Sequence, residues 1–506
     1  MRKNIIIIII LSSVLLFGIY FRLHDLSSQS YWMDEGYTVN AALSIMEKGL
    51  EGGNAILDSG ETYFCPLYCY PTAKIAQIIG GNALSFRLLA ALAGILFIVL
   101  IYFITNRIFN RNTALLTAFF TSFSYWQIAW SRQARWYTLL ALFFWLALFF
   151  FYRFLYQQKQ KNLSLFLTLL FTVLAALTHK VAYLLPMIMI GWAFIEYCWL
   201  NKNKFSKISP KMLIGGIAGF AGAILLLEYG FNFHFIKAIF NNISFNYKLP
   251  YYLNFYLRNY WLFIFFALFA FFNAQKSEKI KICFLVWPFL IYLFCLSFLT
   301  DIVHYRYLFH LTPVFYILGS IGIIASFKKI KYNYIKAVFI SAILLLFFIS
   351  EHGVIKPKQF YFLESDDPAK FNRPHYAYTP QPNFNNAYNT IKKVIKDNEI
   401  IISSHPHFNK IFLNQPGYWI KYNYLGMEDK VKTIKGGREY YVNAKVINDL
   451  PELQEVIGAN HGYIVFDYMA ADNRIPAEII NYITANLDLV LYDEINSYSK
   501  IWVYKF

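Results

Sequence analysis

Two adjacent carboxylates, Asp34 and Glu35, stand in the stretch Tyr31-Trp32-Met33-Asp34-Glu35-Gly36-Tyr37. A carboxylate pair flanked by aromatic rings suits a general base that takes a proton from a hydroxyl or an amine. The same residues also suit an interfacial turn or a helix N-cap, with Trp32 and Tyr37 as membrane-interface anchors. Asp58 and Glu61, in the same hydrophilic stretch, are further acids open to three uses: a metal, an acceptor or a structural hydrogen bond.

Cations form the second inventory. Arg132 and Arg135 lie three residues apart in Ser131-Arg132-Gln133-Ala134-Arg135, a spacing that on one helical face would aim two planar donor forks at a phosphate. Snorkelling to headgroups, or pairing with an acid such as Asp34, is the plainer reading. His179-Lys180 and Asp301, His304, Arg306 and Tyr307 occupy two further short polar breaks. A lone histidine at a helix end serves as a satisfied polar residue or as a ligand, and His234 is equally open. Together these groups are what moving a group off a lipid-linked phosphate requires: a base for the acceptor and cations for charge developing on the leaving phosphate.

Such groups must be positioned by membrane helices. Of 506 residues, 58% are hydrophobic, 20% aromatic and only 15% charged, against about 25% charged in soluble domains. Runs of the length that crosses a bilayer, roughly 20 residues, fall at 4–21, 86–106, 112–130, 135–155, 162–178, 181–200, 211–229, 258–273, 281–299, 307–327 and 335–350. The expected fold class is therefore a polytopic α-helical membrane protein of about eleven spans.

The net charge of +17 invites a nucleic-acid reading, and its distribution excludes one. Residues 1–351 hold 29 Lys and Arg against 12 Asp and Glu, whereas 352–506 hold 17 of each. Eighteen of the 29 lie in six clusters between the apolar runs, from Arg2/Lys3 to Lys328/Lys329/Lys331/Lys336. That is the positive-inside pattern of cytoplasmic loops. It predicts a multi-pass plasma (inner) membrane protein with the bilayer as its partner. The first run lacks a small-residue cleavage site and reads as an uncleaved anchor.

Residues 64–80 are apolar yet short, interrupted by Pro71 and carrying Lys74. Counting them as a span would invert every later basic cluster, so they read as a helix lying at the membrane surface. The expected division is a membrane domain over 1–351 with long external loops at 22–85 and 230–257, a linker over 352–386, and an extracytoplasmic α/β domain over 387–506. That last domain alternates helix-like NAYNTIKKVIKD, LPELQEVIG and PAEIINYITANL with strand-like EIIISS, YIVFDY, DLVLYDEI and SKIWVYKF. It contains none of the five cysteines (Cys65, Cys69, Cys198, Cys283, Cys295), and no zinc-type spacing occurs in the chain.

Several stretches keep a common order: YWMDEGYTVNAA, the run from Ser59 through Leu116, WSRQARWYTLLALF, LTHKVAYLLP and HYRYLFHLTP. In these the chain resembles the GT-C glycosyltransferases of the protein O-mannosyltransferase and aminoarabinose-transferase kind, the family 39-like group, over residues 1 to about 315. The resemblance implies inverting transfer of a sugar from a polyprenyl-phosphate donor to a protein, lipid or glycan acceptor on the outer membrane face.

By that resemblance Asp34 is the base, and Glu35 holds the acceptor or the loop. Arg135 and Arg306, with Arg132 and Lys180, bind the donor phosphate, while His179, His304 and Glu61 are acceptor or metal candidates. Many relatives carry His or Lys before Pro-Pro-Leu-Tyr where this chain has Phe64-Cys65-Pro66-Leu67-Tyr68; the departure leaves Glu61 as the substitute there and a divalent metal as an open cofactor. The competing classes are a lipid-linked glycan transporter or flippase, which needs polar residues through the membrane depth, and a membrane-anchored cell-envelope scaffold.

Overall fold

The computed structural model describes residues 2–157, 159–196, 247–299, 304–350, 353–354, 382–420, 434–435, 437–495 and 499–506. The expected span at 211–229, His234, Asp301, most of the 352–386 linker and the 230–257 loop up to residue 246 lie outside them. The chain divides into two compact units.

The first unit is Met1–His24, Ala90–Ser131 and Trp136–Lys358, and its described residues are mainly helical. Helices occur at every other expected span: Arg2–Leu23, Ala83–Ile108, Arg111–Phe123 continued by Tyr125–Ser131, Tyr137–Tyr156, Lys161–Thr178, Leu185–Ile195 after a 3-10 turn, Leu249–Asn273, Lys276–Phe298, Pro313–Lys329 and Asn333–Ile349. Among the described residues six are long and apolar enough to cross a bilayer on their own, and a bent pair makes a seventh. The chain is thus a multi-pass membrane protein.

Three departures from the expected spans have local causes. The run 112–130 breaks at Ser124, whose Oγ accepts from the Gln127 N–H at 3.2 Å and so starts a second helix. The span expected at 307–327 begins as a 3-10 turn, Tyr305–Leu311, and bends by 49° into Pro313–Lys329; Pro313 has no N–H to continue the ladder. The span expected from 258 begins at Leu249, because Pro250 at the first turn opens a helix that aromatic Tyr251, Tyr252 and Tyr256 extend. Residues 249–257 are therefore helix and not loop.

Within this unit Leu249–Asn273 packs on Pro313–Lys329. Gly319 and Gly322 set that approach: a Cβ on Gly322 would overlap the Phe266 carbonyl, and one on Gly319 would overlap Phe263. Close backbone contact replaces the hydrophobic driving force that lipid removes. Buried threonines are satisfied along their own helix, Thr117 donating to the Thr113 carbonyl at 2.9 Å and Thr121 to Thr117 at 2.8 Å.

The second unit comprises Asp25–Leu89, Arg132–Arg135 and Gln359–Phe506. Its N-terminal part holds the helix Met33–Lys48, three short strands β1 (Leu50–Glu51), β2 (Asn54–Ile56) and β3 (Thr62–Tyr63), and the helix Pro66–Ile79. That helix has 14 residues, too few to cross. Cys65 and Cys69 are joined by a disulfide across its first turn, with Cα atoms 5.4 Å apart.

The C-terminal part is an eight-stranded sheet in the order β10-β11-β9-β4-β5-β8-β7-β6: β4 (Ile400–Ser403), β5 (Tyr418–Ile420), β6 (Ile434–Lys435), β7 (Arg438–Glu439), β8 (Lys445–Ile447), β9 (Gly462–Asp467), β10 (Asp488–Glu494) and β11 (Lys500–Lys505). The inner strands β9, β4, β5 and β8 are parallel, and the remaining pairs antiparallel. All six residues of β9 are buried, as a parallel strand covered on both faces requires. Its core joins Ile402, Ile420, Ile447, Leu453, Ile464, Phe466, Ile479 and Ile483.

Candidate functional site

Trp32 is the N-cap of the helix Met33–Lys48, which puts Asp34 and Glu35 in its first turn, where helix dipole and unpaired N–H groups favour negative charge. The two carboxylates then part company. Glu35 is fully buried and bound on both oxygens. Its Oε1 accepts from Arg87 Nε at 2.9 Å and the Ala134 N–H at 2.6 Å, and its Oε2 from Arg87 Nη2 and the Trp32 N–H, each at 3.0 Å. Arg87 spends its other donors on the carbonyls of Leu26, Gln29 and Ser30 at 2.8–3.1 Å. This bidentate pair is the hub on which the loop is folded.

Asp34 remains reachable, with 16% of its side chain exposed. Its Oδ2 lies 3.5 Å from Arg135 Nη2, while Arg135 Nη1 donates to the Asp34 carbonyl at 2.8 Å and to Thr38 Oγ1 at 2.9 Å. The Arg135 guanidinium also stands 6.0 Å from the Trp32 ring centroid. Burial holds the Tyr63 hydroxyl above its ordinary pKa, partly opposed by Arg135, against which it is hydrogen-bonded. Asp34 is therefore a carboxylate steadied by one arginine through backbone and side chain, with the Tyr63 phenol on the same arginine.

The spacing of Arg132 and Arg135 does not place them on one helical face. Residues 132–135 form an irregular turn, because the Ala134 N–H is turned to Glu35 and away from a helical carbonyl. Arg132 instead donates to the Asp25 carbonyl at 3.1 Å and is buried. Glu61 is half-buried in the same unit, its carbonyl accepting from the Leu57 N–H at 2.8 Å.

The other expected residues belong to the helical unit, where they gather on aromatic rings. His179 follows Lys161–Thr178 and caps the 3-10 turn Lys180–Leu184, its Nδ1 accepting from the Val181 N–H at 3.1 Å, which leaves the ring proton on Nε2. Its ring lies 5.6 Å from Trp136 and 5.4 Å from Tyr307. Tyr307 also receives the His304 ring at 5.6 Å and the Arg306 guanidinium at 5.7 Å. Lys180 begins the 3-10 turn after His179. Tyr307 thus joins three of the four. No group of three or more His, Cys, Asp or Glu side chains that could hold a metal occurs among the described residues, so no metal is assigned.

Two groups were missed from the sequence. Arg87 stands in the apolar run Leu84-Ser85-Phe86-Arg87-Leu88-Leu89; a cation there demands a carboxylate partner, and that was the available signal. The tail was the other. Within the second unit, the helix Pro406–Leu413 packs on Met33–Lys48. A Cβ on Gly36 would overlap His407, and Asn40 donates to the His407 carbonyl at 3.0 Å. Lys410 lies 3.4 Å from Asp58, which also pairs with Lys48 at 2.8 Å. No local spacing announces contacts between segments some 370 residues apart.

Residues 65–225 match the family model described as dolichyl-phosphate-mannose-protein mannosyltransferase, a stretch that includes Arg87, Arg132, Arg135, His179 and Lys180 but not Asp34 or Glu35. Apo ArnT from Cupriavidus metallidurans is similar in structure, with TM-score 0.62 and 12% identity over 100% of this chain and 98% of that one. The same protein bound to undecaprenyl phosphate gives 0.60 and 13%, over 98% and 97%. The apo oligosaccharyltransferase of Archaeoglobus fulgidus gives 0.53 and 11%, over 92% and 70%. No curated protein matches the chain. The fold is that of GT-C glycosyltransferases, as the resemblance implied.

Proposed function

We propose, from the premise that this chain has the GT-C fold and matches the mannosyltransferase family model over 65–225, that it is an inverting membrane glycosyltransferase. Its donor is a polyprenyl-phosphate-linked sugar, and its acceptor a protein, lipid or glycan on the extracytoplasmic face of the plasma (inner) membrane. The assignment of undecaprenyl phosphate to a structure of similar fold supports the donor class. In this reading residues 1–351 form the membrane domain, 352–386 the linker and 387–506 an extracytoplasmic α/β domain.

The observation that carries the reading is the division of labour at Asp34 and Glu35. Glu35 has its lone pairs filled by Arg87 and two backbone N–H groups, so it orients the turn. Asp34 is exposed enough to meet an acceptor and is held by Arg135. Asp34 takes the proton of the acceptor hydroxyl or amine as that atom bonds to the anomeric carbon. The bond from that carbon to the phosphate oxygen breaks on the opposite side, and the phosphate leaves with the electron pair. Arg306, Lys180, Arg132 and Arg135 are the cations proposed to meet that charge, with His179, His304 and Glu61 as acceptor-side groups. No step is routed through a metal.

The test is turnover of undecaprenyl-phosphate mannose by the purified full chain. Asp34→Asn is expected to lower kcat by about 10²–10⁴, the usual contribution of a positioned base. Transfer at the normal rate by that variant would reject Asp34 as the base.

A further inference from the structure

The C-terminal segment reaches the surroundings of Asp34 through the helix Pro406–Leu413, whose His407 lies against Gly36, and through a loop, residues 440–444, between β7 and β8. Ser59 Oγ donates to the Tyr440 carbonyl, and the Tyr440 hydroxyl donates to the Thr62 carbonyl at 3.2 Å. These bonds seat Tyr441 over Tyr37, rings stacked at 4.0 Å and 16°, and edge-on to Tyr63 at 6.1 Å and 66°. Tyr37 follows Asp34 by three residues, and Tyr63 is bonded to Arg135. The Asp34 charge reaches the Tyr441 hydroxyl: after burial and Tyr63, it is the next cause holding that proton on.

The loop is braced from within. Glu439 Oε2 accepts from the N–H groups of Tyr441 at 2.9 Å and Val442 at 2.8 Å, and the Glu439 N–H donates to the Ala444 carbonyl at 2.9 Å. Asn443 takes the left-handed conformation, φ 61°, that its short amide tolerates. A ring presented on such a loop loses little freedom when it binds.

Tyr37, Tyr63 and Tyr441 are each half-buried; Tyr37 and Tyr441 spend one face on each other, and what a tyrosine leaves exposed combines apolar ring surface with one polar rim atom. A pyranose has the matching two-sided character, with C–H groups on one face and hydroxyls on its rim. A peptide would bring a row of amides that need partners of their own, and phenol rings give it few.

We infer that Tyr441 is a specificity-determining, acceptor-binding residue supplied by the C-terminal domain, and that the acceptor it fits is a saccharide ring whose hydroxyl is delivered to Asp34. This inference rests on the transferase reading above and names its acceptor.

The experiment gives the full-length chain undecaprenyl-phosphate mannose and two acceptors in competition, octyl α-mannoside and a Ser/Thr-containing hexapeptide, with wild type, Tyr441→Phe and Tyr441→Ala. Wild type is expected to favour the mannoside. Tyr441→Ala is expected to lower kcat/KM for it about tenfold, mainly through KM, and to reduce the mannoside-to-peptide ratio. Tyr441→Phe, which keeps the ring, loses less. Equal losses on both acceptors, an unchanged ratio, or a wild-type preference for the peptide would each overturn the inference. Wild-type turnover with insensitivity at Tyr441 sinks this inference alone; no turnover by wild type sinks the transferase reading with it.

Discussion

Two buried carboxylates brace the surroundings of Asp34 from different segments, and they are compensated differently. Glu35, in the N-terminal loop, gathers two backbone N–H groups and a full guanidinium fork. Glu439, in the C-terminal segment, gathers two backbone N–H groups on a single oxygen. Burial pushes the Glu439 carboxyl up to about 7, and the bonds from Val442 and Tyr441 only partly oppose it. The contrast teaches where permanence was needed: the turn carrying the base is clamped by a matched charge pair, while the loop carrying Tyr441 is held by a group that ionises near neutrality.

The comparison breaks most visibly at Arg87. Arg87→Met leaves Glu35 buried without its countercharge and is expected to cost about 3–5 kcal/mol, read as a lowered Tm of the full chain in detergent. The double variant Arg87→Met/Glu35→Met should lose less than the two single losses summed, since the pair acts as one unit; additive losses would deny the coupling. Gly36→Ala comes next. Its Cβ would overlap the His407 ring, an overpacking expected to cost about 1–3 kcal/mol and to depress turnover as the turn shifts. Unchanged Tm would show that the tail does not press on that turn.

The smallest effect sharpens the Glu439 side. A folded-state pKa raised above the ordinary carboxyl value means the folded chain binds more protons between about pH 4.5 and 7. The stabilising contribution is therefore full below pH 4.5 and is lost as pH rises through 7. Glu439→Gln keeps an oxygen for both N–H groups and removes the titration. The difference in Tm between wild type and this variant should grow in the variant's favour from pH 4.5 to 7; a flat difference would place the titration elsewhere.

Membrane helices were legible because each is a contiguous apolar run, and the short helix 66–79 was legible because charge parity left it no room to span. In the C-terminal segment the alternation of patterns found Ile400–Ser403, Leu450–Ala459, Gly462–Asp467 and Ala477–Asn486. It passed over Pro406–Leu413 and the short strands β5–β8, where two or three residues carry no period. At the site, Asp34, Glu35 and Arg135 were visible as residue types in one place. The turn at 132–135 was not, because its shape follows from the Ala134 N–H finding a carboxylate about a hundred residues away. Tyr441 and His407 were invisible for the same reason: only the folded chain brings them to Tyr37 and Gly36.

The Cys65–Cys69 bridge has a bearing on biogenesis. Thiols pair where the compartment is oxidising, so in the proposed orientation the first extramembrane segment is fastened only after translocation. Production in a host that leaves that face reduced would yield inserted spans with this staple open, and thiol-reactive mass tags on the two sulfurs would report how far maturation had gone.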